Sequence, residues 1–407
     1  MNFDIIVIGA GVIGSSTAYH LKKQSPKIRV LLLDKNDRVA GGNTAKSAAL
    51  YRNLFSSETS QALALSSIKF YESIAPKIAL KKLGYQWMFS EEDWKKSQEG
   101  LAKLDSKADD FEILEASDLQ AKFHINTTKL GEMKEIHRLL FGHRCGALSA
   151  TNLARYYANE FQQLGGNISL KTKITTIHLT EKNHRYPPWK DIRINSISDQ
   201  RNKKYSANKY VFATGAWTNE TLQPIGIASH IYPKKRQLFA VKIQEPNQIV
   251  KDSSVKVPIL ILPTGGVYLK PILEKGLIVI GCADDLGNPF QRNEEPPVAE
   301  EDYFREVIEP VLNHYFPKLT DYELFSKWAG YYAYYWPDYN PVIEQVANIQ
   351  WVSGTSGSGI MKADAIGRIA AAKAFGKEQA ILYDGTKFPV ASLSLKKRVV
   401  DEEKLVI

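Results

Sequence analysis

The sequence predicts a two-part fold, in which a Rossmann-like α/β domain is interleaved along the chain with a mainly antiparallel, sheet-rich α+β domain. Three observations predict it. The chain has 407 residues, beyond the roughly 250–300 at which a single core stops growing. A strand, glycine turn, helix and second strand open it, and another glycine turn runs into a helix near its end. Between these, short β-rich runs recur with turn residues at their borders.

The elements follow in order. Ile5 to Ile8 is an uninterrupted apolar run, the signature of a strand covered on both faces. Gly9 to Gly14 makes the turn, Ser15 to Lys23 has helical spacing, and Val30 to Leu33 is a second buried strand ending at Asp34. A small-residue loop, Gly41 to Ala49, precedes a helix from about Thr59 to Ile78. Residues 85–145 read as an excursion into the second domain. Ser149 to Leu164 is a helix with Ser149 or Thr151 as cap, stopped by Gly165-Gly166. Ile168 to Leu179 reads as one long strand or a pair, and residues 183–208, with Pro187-Pro188, as a hairpin excursion. Tyr210 to Ala213 is again a buried strand. Strands then recur at Gln237 to Ile243, Pro258 to Leu262, Gly266 to Leu269 and Leu277 to Gly281, before a helix over Glu301 to Tyr315. Ile349 to Ser353 enters the second glycine turn, and a helix over Ile360 to Phe375 follows. The boundaries drawn from this are 1–84, 146–225 and 325–385 for the first domain, 85–145 and 226–324 for the second, and 386–407 for a tail.

Hydrophobic residues at 44% and charged residues at 24% exclude a disordered or fibrous chain. The formal charge of +9 is spread out, and no basic run carries interleaved aromatics, which argues against nucleic acid as a partner. Two cysteines, Cys145 and Cys282, exclude a disulfide framework, fit a reduced setting and read as small buried hydrophobes. Without CxxC or HExxH, no metal site is expected. The chain opens straight into a strand, and no window approaches the ~18 apolar residues of a spanning helix. The expectation is a cytoplasmic protein, at most peripheral to a membrane, with homo-oligomerisation open.

Gly9, Gly11 and Gly14 carry the dinucleotide fingerprint. The first permits the tight turn, the second the approach of a pyrophosphate, and the third the packing of helix on strand. The helix start offers free N–H groups to the phosphates. Asp34 lies 20 residues past the last glycine, where an acid accepts from ribose hydroxyls. The late turn, Gly354 to Gly359, runs into a second helix, whose start would suit the negative charge that develops on the pyrimidine edge of a flavin on reduction. The alternative for this segment is an ordinary helix cap without a ligand.

These motifs also occur in a familiar order. The opening fingerprint, the loop Gly41 to Ala49, Ala213 to Trp217, Trp328-Ala329-Gly330, Pro337 to Ile343 and Gly354 to Ile360 resemble the D-amino-acid oxidase/sarcosine oxidase superfamily of FAD enzymes over essentially the whole chain. Within it, Ser47 to Arg52, Phe55 to Ser57, Tyr232 to Arg236 and Gly354 to Lys362 are most similar to archaeal dye-linked L-proline dehydrogenases of the single-polypeptide type. The resemblance implies that Gly9, Gly11, Gly14, Asp34 and Lys35 hold the ADP half of FAD. It places Gly42, Asn43, Ser47 and Ala48 beside the pyrophosphate and flavin, and Ile174 beside adenine. Ala213, Gly215, Trp217 and Gly330 would flank the cofactor, with Gly357, Ser358, Gly359, Ile360 and Met361 under the isoalloxazine.

Two departures matter. Relatives attach FAD through a cysteine near the Pro-Asp motif or hold a carboxylate with an arginine there, whereas this chain has Tyr331-Tyr332-Ala333-Tyr334-Tyr335. Noncovalent FAD is therefore expected. A planar guanidinium grips a carboxylate through two parallel bonds, so Arg52 is the first candidate for a substrate carboxylate, Lys362 the second and Arg236 the third. A surface ion pair is the alternative for Arg52, and a solvated helix position for Lys362. Tyr332 is expected to wall the substrate, and no catalytic residue is named. The implied activity is oxidation of the C–N bond of a small amino acid or secondary amine by hydride transfer to flavin N5. L-proline is the first substrate, and an unidentified carrier or dye the acceptor. Alternatives are a sarcosine, glycine or D-amino acid oxidase, a non-catalytic flavoprotein assembly factor and a nicotinamide dehydrogenase.

Overall fold

The computed structural model describes residues 2–104, 110–180, 192–252, 254–284, 290–292 and 294–405. The opening unit forms as expected. Strand Asn2–Ile8 leads through the glycine turn into helix α1 (Val12–Gln24) and out to strand Val30–Leu33. Val30, Leu32 and Leu33 are fully buried because both faces of this sheet are covered.

The first sheet has a parallel centre. Strand Asn2–Ile8 pairs in parallel with Val30–Leu33 on one side and with Lys204–Phe212 on the other. Asn167–Ser169 and Ile349–Ser353 extend it outward, also in parallel. The stretch 168–179 is two strands, Asn167–Ser169 and Ile174–Leu179, the second pairing with Ile194–Asp199. The hairpin between Ile194–Asp199 and Lys204–Phe212 is present, whereas Pro187 and Pro188 lie outside the described residues. Helices α2 (Glu58–Ser73), α3 (Ala150–Gln163) and α4 (Gly359–Ala374) join α1 on one face. Ser57 and Ser149 cap α2 and α3, each accepting from a backbone N–H three residues on.

The second sheet has eight strands in the order 322–335, 231–243, 277–282, 267–272, 259–261, 85–89, 138–142 and 111–115. All neighbours are antiparallel except 259–261 with 85–89. Its core includes Phe239, Ile280, Phe304 and Leu312. One boundary needs correction. Residues 325–335, grouped by sequence with the first domain, belong to the 14-residue strand Tyr322–Tyr335, which pairs along its length with Ile231–Ile243 in the second sheet. Its exposed first half hides the alternation that marks a strand. The stretch 386–405 is also no loose tail: Leu405 is buried among Trp87, Leu101 and Ile259, and Arg398 ion-pairs with Asp338. Among the described residues, no helix is long and apolar enough to cross a membrane.

Candidate cofactor and substrate site

The turn after the first strand is built by steric demand. Gly9 has φ of +107°, and a Cβ there would lie 2.4 Å from the Ala213 carbonyl oxygen. A Cβ at Gly14 would lie 1.8 Å from the Gly9 oxygen, so α1 can meet the turn only with glycine at that position. Asp34 braces the turn, accepting from Ala10 N at 2.6 Å and from Asn36 N at 2.8 Å. At the start of α1, Gly11 offers no side-chain cap, and Val12 N donates to Thr44 Oγ1 at 3.1 Å.

The late turn is made the same way. Gly354 and Gly357 have φ of +75° and +80°. A Cβ on Gly357 would lie 2.5 Å from the Tyr332 ring. Ser358 precedes α4 but turns its hydroxyl back to the Thr355 carbonyl at 2.9 Å, leaving the helix start without a side-chain cap. Both turns open onto one cavity of about 760 Å³ between the two sheets.

The cavity gathers most of the expected cofactor residues. Gly9, Gly11, Asp34 and Lys35 line it, as does Ile174. So do Gly42, Asn43, Ser47 and Ala48 of the small-residue loop, and Ala213, Gly215 and Trp217. Gly330, Gly357, Gly359 and Ile360 complete the wall together with Tyr332. Three expected residues do not line it. Gly14 serves packing, Ser358 closes its own turn, and Met361 is buried in the helical core. A negatively charged dinucleotide fits this arrangement: two helix starts and two glycine turns face one cavity.

The candidates for a substrate carboxylate separate sharply. Arg52 is 7% exposed and does not line the cavity. It donates to the carbonyls of Leu54 at 2.7 Å and Leu405 at 2.8 Å, and lies against the rings of Phe55 and Trp87. Lys362 is also buried and outside the lining, donating to Ser60 Oγ at 3.0 Å. Neither cation therefore stands in the cavity wall, and residues 401–405 fold against this region. Asp401 accepts from Glu58 N and Thr59 N at the start of α2, and Glu403 from Ser56 N. Arg236, third in the sequence ranking, does line the cavity. It donates to the Asp284 carbonyl at 3.2 Å and to Tyr334 Oη at 3.4 Å, with its guanidinium 5.7 Å from the Tyr332 ring centre.

Other cavity residues carried no prior signal. Tyr268 lines the wall, and burial pushes its phenol well above the ordinary range. Nearby, Lys270 donates to the Ala48 carbonyl at 2.7 Å, and burial pushes its amine down to about 8. The loop carrying Asn43 and Lys46 is tied to strand 322–335, since Asn43 Oδ1 accepts from Tyr331 N at 3.0 Å and the Lys46 carbonyl from Trp328 Nε1 at 3.0 Å. Lys46 lies inside the loop Gly41 to Ala49, whereas Tyr268 and Lys270 come to this region only through the pairing of their strand.

Lys362 yields a pH prediction. Burial, the dominant cause, lowers its amine to about 7 from 10.5. The unfolded chain takes up that proton as pH falls from 10.5 and the folded chain does so only near 7, so this residue costs stability increasingly across that window, and fully below it. Thermal melts of Lys362→Met from pH 7 to 9 are expected to show a flatter rise in Tm than the native chain. An unchanged rise contradicts the assignment.

Comparison with known proteins agrees with this geometry. The family described as FAD dependent oxidoreductase (DAO) matches residues 4–373. FAD-dependent oxidoreductase domain-containing protein 1 of Bos taurus is 22% identical over 405 residues, covering 90% of this chain and 80% of that protein. Peroxisomal sarcosine oxidase of Mus musculus is 27% identical over 237 residues, covering 55% of this chain and 53% of that protein. Among solved structures, L-proline dehydrogenase from P. horikoshii superposes with a TM-score of 0.75 at 20% identity, over 92% of this chain and 94% of that one. Glycine oxidase from Geobacillus kaustophilus gives a TM-score of 0.76 at 17% identity, over 98% and 99%.

Proposed function

The chain belongs to the FAD dependent oxidoreductase family, and from that premise we propose that it oxidises the C–N bond of a small amino acid or secondary amine, with L-proline as the first substrate. The observation that carries the reading is Arg236, a guanidinium in the wall of the cofactor cavity with Tyr332 and Tyr268. Arg236 would hold the substrate carboxylate by paired charge-assisted hydrogen bonds, and the two tyrosines would flank the remainder and keep water out. When bound, FAD would supply the acceptor for the hydride on the carbon next to the nitrogen, whose departure leaves a C=N bond. No side chain is assigned as general base, because an amine that enters neutral needs none. The superposition with L-proline dehydrogenase supports the substrate class, and an unidentified carrier takes the electrons onward.

The test is anaerobic mixing of the purified protein with proline, sarcosine, glycine and D-amino acids while following the flavin band near ~450 nm. Bleaching by proline ahead of the others is expected. Failure of every amine to bleach it would favour a non-catalytic flavoprotein, and peroxide release under air would mark an oxidase.

Attachment of FAD is expected to be noncovalent. Cys145 donates to Asn53 Oδ1 at 3.2 Å, Cys282 to the Gly265 carbonyl at 3.1 Å, and neither lines the cavity. Acid precipitation should leave a white pellet and a yellow supernatant; a yellow pellet contradicts this.

A further inference from the structure

The junction of the four helices behind the cavity holds a fully buried carboxylate. Asp364 on α4 is 0% exposed. It meets His20 Nε2 of α1 at 2.8 Å, Tyr157 Oη of α3 at 3.3 Å and Arg368 Nε of its own helix at 2.6 Å. Tyr71 of α2 completes the group, donating to the Ile360 carbonyl at 2.7 Å and accepting from Asp364 N at 3.4 Å. Burial by itself would raise the Asp364 carboxyl, but His20 and Arg368 outweigh it and hold it below the usual carboxylate range. Burial lowers the His20 imidazole, against the opposing pull of Asp364.

A charge at this place is not explained by stability. A buried ion pair returns little against well-packed apolar residues of similar size, because desolvation offsets the attraction. The surrounding interface is also of a kind that leaves one motion loosely defined. Helices α1 and α4 pack without spacers, and a Cβ on Gly367 would lie 2.1 Å from Ser16 Oγ. On α4, Ala363, Ala365, Ala370, Ala371 and Ala372 are all buried. Small side chains bring backbones close but interlock weakly along the helix axis, whereas hydrogen bonds are directional. Asp364 supplies that direction, aided by Ser16 Oγ donating to the Ala363 carbonyl at 2.8 Å.

The position matters because α1 and α4 each begin at one of the two glycine turns that line the cavity. A slide of α4 by one residue is ~1.5 Å, enough to change the spacing between the two helix starts. We propose that Asp364 is a positioning residue: by joining α4 to His20 of α1 and Tyr157 of α3, it sets the separation of the two glycine turns that grip opposite parts of one FAD. This rests on FAD binding alone and is independent of which donor is oxidised.

The test uses the full chain, stripped of flavin and titrated with FAD, together with the flavin midpoint potential of each holoprotein. Asp364→Asn is expected to lower FAD affinity at least tenfold and to shift the potential. Phe304→Leu, in the separate core of the second sheet, is expected to lower Tm yet leave affinity within twofold and the potential unmoved. Should Asp364→Asn fail to fold, Tyr157→Phe, which removes one hydroxyl from the same carboxylate, decides the matter, with about threefold weaker FAD binding expected. Native affinity and potential in Asp364→Asn, or in Tyr157→Phe where that variant decides, overturn the proposal. Amine bleaching is read separately, so its failure leaves this result standing.

Discussion

A Gly14→Ala chain is expected to purify without flavin colour. The added Cβ would sit 1.8 Å from the Gly9 carbonyl oxygen, and only 3.2 Å from Ala213 Cβ. The first obstacle is backbone, so no rotamer change relieves it. Helix α1 must back away from the turn, and its first N–H groups then no longer point where a pyrophosphate lies. A loss of FAD affinity above tenfold is expected, read from the ratio of flavin to protein absorbance and by titration. Gly376→Ala is the control. Its φ is +68°, and nothing lies within 4 Å of the added carbon, so it bears backbone strain of about 1 kcal/mol and keeps its colour. A yellow Gly14→Ala protein with native affinity would remove the steric basis of the fingerprint reading.

The second large effect is expected at Arg236. Removing one member of a buried, hydrogen-bonded charge pair costs about 2–5 kcal/mol, and each 1.4 kcal/mol is about tenfold. Arg236→Leu should therefore raise KM for the amino acid by about 30- to 4,000-fold, with flavin content nearly unchanged. Arg52→Leu should behave in the opposite way. It strands the carbonyls of Leu54 and Leu405 in a buried place, so Tm falls while KM stays near native. An Arg236→Leu enzyme with native KM would move the carboxylate site elsewhere.

These two arginines show how far the sequence can be read. The glycines at 9, 11 and 14, Asp34 and the late turn were legible because their constraints are local. A backbone with φ of +107° at Gly9 accepts almost nothing else, and such demands are written in residue type and spacing. The cavity-lining loop 42–48 was legible for the same reason. The ranking of Arg52, Lys362 and Arg236 was not. Arg52 follows the cofactor loop in sequence, yet Leu405, 353 positions later, receives its guanidinium. Arg236, ranked third, reaches the cavity wall because strand 231–243 pairs with 322–335 and sets it across from Gly330.

The chain by itself thus determined the turns, the helices that follow them and the kind of cofactor they accept, since these depend on sterics within a few residues. Tertiary structure alone decided which cation faces the cavity, which strand closes it and which buried carboxylate joins the helices behind it. Those outcomes depend on contacts between residues about 50 to 350 positions apart, where burial and pairing leave no periodicity or spacing to read.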